Sequence, residues 1–136
     1  MKVKVLNIRV IVAPNDFIVR LEGGGKILDL CNAPVEAAIG IMTIEADRKH
    51  CNQSANVAPQ LNLNMLLQEI IPADRLKQVE LSKLIKENCY VAEAVMGDEK
   101  VAVLPSVGVY LAMLFNKPIY FESEIAVDDK RNAMVV

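Results

Sequence analysis

The side chains best suited to chemistry are a few acids, one histidine and a short basic run. Glu36 falls at the start of a predicted helix and Asp29 in the strand before it, which makes the pair a candidate for holding a divalent cation through hard carboxylate oxygens. His50 is the only histidine of the chain and so the one candidate base near neutral pH, with Asp47 close by in sequence. Arg48, Lys49 and His50 open a polar stretch and are candidate binding residues. Glu45 lies nine residues after Glu36, and at about 100° per residue the two acids project roughly 180° apart on one helix, so they cannot chelate one ion together. On their own terms Glu36 is a first-turn acid that favours the helix dipole, and Glu45 is a solvated acid.

Other candidate signals have plainer readings. Gly23-Gly24-Gly25 is not followed by G-x-G-x-x-G or G-K-[ST], and a hairpin turn explains it better than a phosphate loop. Cys31, Cys51 and Cys89 are widely spaced, include no C-x-x-C and form no disulfide framework. His50 beside Cys51 lacks a second ligand pair at zinc spacing, so these thiols read as ordinary buried or loop residues.

The elements that must position these groups follow from hydrophobic period. In the first twelve residues Val3 and Val5 share one face of an extended segment, while Leu6, Ile8, Val10 and Val12 share the other. The phase changes at residues 5 and 6, which predicts a bulge or a strand buried on both faces. Ala13-Pro14-Asn15-Asp16 is a turn into a second strand carrying Phe17, Val19 and Leu21, and residues 26–30 form a third. Asn32-Ala33-Pro34 predicts a helix start, with Pro34 at the first helical position and Val35, Ala38, Ile39 and Met42 at helical spacing up to about Asp47. Residues 48–59 show neither period and predict a long loop of the kind that is often functional. A second helix carries Leu63, Leu66, Leu67 and Ile70 and stops at Pro72. Three strands follow, around Val79 and Leu81, over residues 89–96 and over residues 100–104, the last two joined by Gly97-Asp98. Ser106 is the expected cap of a third helix with Val107, Tyr110, Leu111 and Leu114 on one face, ended by Asn116 and Pro118 before a last strand, Ile119-Tyr120-Phe121. The order βββααβββαβ predicts a single α+β domain over residues 1–126 with a mixed, largely antiparallel sheet, followed by a charged, solvated tail over residues 127–136.

Composition bounds the rest. The chain has 136 residues, enough for one domain with a real core. Hydrophobic residues make up 53%, so apolar faces covered by a second copy, a homo-oligomer, are expected. A net charge of −2 supplies no global attraction for nucleic acid and leaves only a local basic patch as a route to it. Lys2, Lys4 and Arg9 interrupt the opening apolar residues, which argues for a strand rather than a secretory signal. No run approaches the ~20 apolar residues of a membrane span. A cytoplasmic protein without a membrane partner is the resulting expectation.

Three blocks then carry a resemblance: I-L-D-L-C-N-A-P-V-E-A-A-I-G-I-M-T-I-E from Ile27 to Glu45, Q-L-N-L-N-M-L-L from Gln60 to Leu67, and L-P-S-V-G-V-Y-L-A-M-L-F-N-K-P-I-Y-F from Leu104 to Phe121. In order and spacing the chain resembles the bifunctional nuclease (DNase/RNase) domain family over roughly Val3 to Glu124. The resemblance matches Glu36 and Glu45 to glutamates of the family's first helix, and Pro105 and Ser106 to its arginine-proline-serine-aspartate block. It implies catalytic roles for Glu36 and Ser106; where hydrolysis persists, Mg²⁺ or Mn²⁺ is expected at Glu36, with Asp29 as the second acid suggested by the residues themselves. The family's arginine falls on Leu104, its aspartate two residues after the proline on Val107, its histidine on Leu63 and the next aspartate on Asn64. Phosphodiester hydrolysis needs positive charge at the developing phosphorane and an activated water. Replacing those four groups therefore points to a nuclease-like domain with weakened or lost phosphodiesterase activity, acting by binding or assembly. The alternative is a metal-dependent DNase/RNase that still uses Glu36 and nearby acids.

Overall fold

A computed structural model describes residues 1–49, 63–84 and 89–129. Over these residues the chain is α+β, with strands β1 (Lys2–Lys4), β2 (Asn7–Ala13), β3 (Asp16–Gly23), β4 (Lys26–Leu30), β5 (Leu76–Leu84), β6 (Cys89–Met96), β7 (Glu99–Val103), β8 (Ile119–Glu122) and β9 (Val127–Asp128), and helices α1 (Val35–Lys49), α2 (Leu63–Ile70) and α3 (Pro105–Leu114). A short 3₁₀ turn covers Ser123–Ile125. The order of elements follows the sequence pattern, but the strands build two sheets instead of one. The first sheet runs β1-β8-β5-β6-β7 and the second β2-β3-β4-β9. Every pairing is antiparallel except β5 with β8. No described helix is long and apolar enough to cross a membrane.

The phase change at residues 5 and 6 has a different cause from either expected one. The Val5 N–H donates to the Ile119 carbonyl at 2.8 Å, toward the first sheet, and the Leu6 N–H donates to the Glu22 carbonyl at 2.8 Å, toward the second. Consecutive peptide groups thus serve different sheets, and the apolar set changes sides because the buried side itself changes. Gly23 makes the crossing possible, because a Cβ there would collide with the Lys4 carbonyl oxygen. The glycine run is a hairpin turn. Gly24 and Gly25 both have positive φ, 56° and 71°, as a two-residue turn matched to strand twist requires.

Each sheet buries one face. On the first, Val79, Leu81, Ala92, Ala94, Ile119 and Phe121 are buried and stand opposite one another in register. α3 lies on them, with Gly108 close to Val79, Val103 and Ala92. On the second, Val19, Leu21, Leu28 and Leu30 are buried, and α1 packs against β2 and β3 as well as against α3. This placement corrects both helix faces. α1 buries its small side, Ala37, Ala38 and Gly40 with Ile41 and Ile44, and leaves Val35 and Ile39 about half exposed. The reason is close approach, since the Tyr110 ring occupies the space a Gly40 side chain would fill. α3 buries seven of its ten residues, as expected for a helix covered from more than one side. Ser106 is among them and does not cap: Leu104 is the N-cap, without a side-chain bond, and Pro105 opens the helix. Proline suits that first position because it has no N–H to leave unsatisfied.

α2 is tied to α3 by polar bonds. The Tyr110 hydroxyl donates to Asn64 Oδ1, and the Gln68 side-chain amide donates to the Leu114 carbonyl at 3.3 Å. Burial pushes the Tyr110 hydroxyl above its ordinary pKa. The expected tail begins inside the fold. Val127 and Asp128 pair with Ile27 and Lys26, and Lys26 Nζ lies 2.7 Å from Asp128 Oδ1. Residues 130–136 lie outside the described residues.

The open face of the first sheet carries charge. Lys2 and Gln78 both donate to the Glu80 carboxylate, and Lys100 lies 3.9 Å away. Donation from Lys2 holds the Glu80 carboxyl below its ordinary value, with burial opposing. A depressed folded pKa stabilises the fold above the ordinary carboxylate value and loses that contribution as pH falls through the folded value. Half-exposed Lys2 limits the effect to about 0.5 kcal/mol.

Two outcomes are expected. Gly23→Ala lowers unfolding free energy by about 3 kcal/mol in urea titration, the upper range for overpacking against atoms that cannot move; a loss no larger than that of Gly97→Asn, in an open turn, disproves the crossing constraint. Glu80→Gln flattens the decline of stability below about pH 4.5, read by thermal melts at several pH values, and an unchanged acid limb assigns that decline to other carboxylates.

Candidate functional site

Where β1 passes to β2, the chain forms one wall of a groove of about 750 Å³. Six consecutive residues, Lys4 to Arg9, line that wall. The other wall comes from Glu45 and Arg48 near the end of α1, and from Ala112, Met113 and residues 116–119 at the end of α3.

Local chemistry explains why these residues meet. Asn116 adopts a left-handed conformation, φ 56°, and its N–H donates to the Met113 carbonyl at 3.2 Å while the Lys117 N–H reaches back to the Ala112 carbonyl at 2.7 Å. That pair of bonds closes a helix C-terminus, and asparagine is among the few non-glycine residues that tolerate the conformation. Pro118 follows and starts the chain into β8. The reversal places Lys117 at the groove. Glu45 and Arg48, three residues apart, share one side of α1, and Arg48 Nη2 donates to the Met113 carbonyl at 2.9 Å. With Gln68 on the Leu114 carbonyl, the last turn of α3 has its orphan carbonyls satisfied. Arg48 also places a cation at the negative end of the α3 dipole.

The groove is cationic. Lys4, Arg9, Arg48 and Lys117 line it against one carboxylate, Glu45. The Arg9 guanidinium donates twice to Glu22 Oε1, at 3.0 and 2.7 Å. Lys4, Arg48 and Lys117 are ion-paired to no described carboxylate. Asn7 and Asn116 add neutral hydrogen-bonding groups, while Val5, Ile8, Met113, Pro118 and Ile119 supply apolar surface. Such an arrangement neutralises and orients an anion. Among the described residues it offers no pair of acids for general acid and base work.

The residues singled out from sequence separate. Glu36 is exposed in the first turn of α1, twelve residues and therefore about 18 Å along the axis from Arg48. Asp29 accepts from Arg20 Nε at 2.8 Å and Nη2 at 3.0 Å. Ser106 is 4% exposed, at the end of α3 remote from the groove. Arg48 reaches the groove, and so does Glu45. Lys49 is the last residue of α1, but its side chain and that of Asp47 lie outside the described residues, as do His50 and Cys51. Cys31 is an exposed free thiol. Among the described residues no group of three His, Cys, Asp or Glu side chains could hold a metal ion. Lys4, Arg9, Asn116 and Lys117 were missed because they are scattered along the chain. Their only sequence signals were the phase change at residues 5 and 6 and the asparagine-lysine-proline stop.

Arg48→Met keeps the aliphatic stem but removes the bond to Met113, and a loss of about 1–2 kcal/mol in urea unfolding is expected. Arg48→Lys is expected to recover part of it, and equal stability of Arg48→Met and the parent chain refutes the capping role.

No protein-family model matches the chain, and no curated protein matches it significantly.

Proposed function

We propose that the chain is a bifunctional-nuclease-like domain with weakened or lost phosphodiesterase activity, which acts in the cytoplasm by binding or by assembly. The observation that carries this reading is where the replaced positions lie, two at the first turn of α3 and one, Asn64, against Tyr110 further along it. Leu104 stands at its N-cap, 61% exposed, and Val107 follows one turn before Tyr110, whose hydroxyl is held by Asn64. Where the resemblance implies an arginine and two aspartates, these positions hold two aliphatic side chains and an amide. Loss of one such electrostatic donor removes about 3 kcal/mol of transition-state stabilisation. Asp29, the acid beside Glu36 in the sequence argument, is engaged by Arg20, and Ser106 is buried.

Support for binding comes from the groove, whose uncompensated cations give a local attraction for phosphate despite the net charge of −2. Support for assembly comes from exposed apolar side chains, Leu6, Val12, Val35 and Ile39, with exposures of 78, 65, 49 and 50%. A homo-oligomer covers such surface.

The experiment incubates purified protein with single- and double-stranded DNA and RNA plus Mg²⁺ or Mn²⁺, with sedimentation velocity on the same preparation. Cleavage at or near background is expected, together with a species larger than the monomer. Robust cleavage abolished by Glu36→Ala replaces this reading with an active metal-dependent nuclease, and a strictly monomeric chain removes the assembly half.

A further inference from the structure

We infer that the groove at the β1–β2 crossing binds a small organic phosphate of about mononucleotide size, with Lys4 and Lys117 as the principal phosphate contacts. This deepens the binding half of the reading above and does not depend on whether phosphodiesters are cut.

Size, charge and surface agree. A volume of about 750 Å³ falls within the roughly 300–1,000 Å³ of small-molecule sites. Lys4, Arg48 and Lys117 are brought together from three distant parts of the chain with no described carboxylate paired to them. Like charges held around one cavity repel, and an anion placed among them relieves that repulsion. Glu45, the one acid on the wall among the described residues, cancels a single charge. A phosphate monoester carries between one and two negative charges near neutral pH, which matches the remaining excess. The same cavity exposes Val5, Ile8, Met113 and Pro118, more apolar surface than a bare inorganic ion uses, and a planar or aliphatic body attached to the phosphate covers it.

The cations play unequal parts. Arg48 is already engaged by the Met113 carbonyl and Arg9 by Glu22, so both are positioned groups with donors to spare. Lys4 sits at the end of β1 and Lys117 in the reversal after α3; both residues line the groove, and neither is ion-paired to a described carboxylate. A polyanion needs cations tracking successive phosphates, whereas here they converge on one cavity in a chain of net charge −2. The shape therefore favours a compact anion over a nucleic acid strand.

The test measures thermal shift and isothermal titration with AMP and GMP as probes, beside adenosine, inorganic phosphate and a single-stranded 20-mer. AMP or GMP is expected to bind and raise Tm, inorganic phosphate to bind more weakly and adenosine not at all, with affinity falling as NaCl rises. Lys4→Gln and Lys117→Gln, made singly, each weaken binding about tenfold, the scale of one charged hydrogen bond, while Lys77→Gln, outside the groove, leaves it unchanged. Circular dichroism verifies that each variant folds. Adenosine binding as well as AMP, or unchanged affinity in both groove variants, overturns the inference. So does a lack of response to AMP and GMP at millimolar concentration, and if the 20-mer alone binds, the binding reading survives while this ligand class falls. Robust nuclease activity with AMP still bound has the reverse result: the weakened-hydrolysis reading falls and this one stands.

Discussion

One peptide unit decides the architecture. Between Val5 and Leu6 the backbone stops donating to β8 and starts donating to β3, so a single extended segment is the outer strand of two different sheets. Everything on either side is arranged around that division: α3 on the first sheet, α1 on the second, and the two helices packed together. Small residues permit the closeness. Gly23 lets the second sheet meet the Lys4 carbonyl, Gly40 admits the Tyr110 ring, and Gly108 seats α3 on its sheet. A chain of ordinary side chains at these three positions would hold the layers further apart and lose the dispersion and burial that the close fit provides.

Much of this was legible. Strand and helix order follows from period and punctuation because those signals are local: alternation for β3, a Gly-Asp turn between β6 and β7, Asn116 and Pro118 after α3. The double sheet was not legible, since a phase change in one segment reads equally as a bulge, and only partners over a hundred residues away tell the two apart. The buried side of α1 was misjudged for a related reason. Hydrophobicity ranks Val35 and Ile39 above Ala37 and Gly40, but the aromatic ring of another helix needs space more than it needs a methyl-rich surface. Of the groove only Arg48 stood out as a candidate in the sequence, because its cations come from positions 4, 9, 48 and 117 and meet only in the fold.

The two ends of α3 have opposite characters. At its start, the two positions where the nuclease resemblance implies charge, Leu104 and Val107, are aliphatic, and the serine between them is buried. At its finish, the helix turns through Asn116 and collects Arg48 and Lys117 around its carbonyls. A helix normally repels anions from its C-terminal end; here the added cations outnumber that partial charge and reverse the local sign. Net charge is silent on this, because Arg20 with Asp29 and Lys26 with Asp128 balance away from the groove, while Lys4, Arg48 and Lys117 line it without a described carboxylate paired to them.

The crossing also fixes when the molecule becomes complete. β2, β3 and β4 are joined by short turns and can associate as soon as they exist, but Lys2 pairs with Glu122 and Lys26 with Asp128. Both sheets therefore wait for the C-terminal part of the described chain to close an edge, and closing loops of such length is entropically costly and slow. During synthesis β1 stays without its partner until residues more than a hundred positions further along have followed. Lys4 stands opposite Tyr120 only after that event, so the two walls of the cationic groove meet only once β1 has paired with β8.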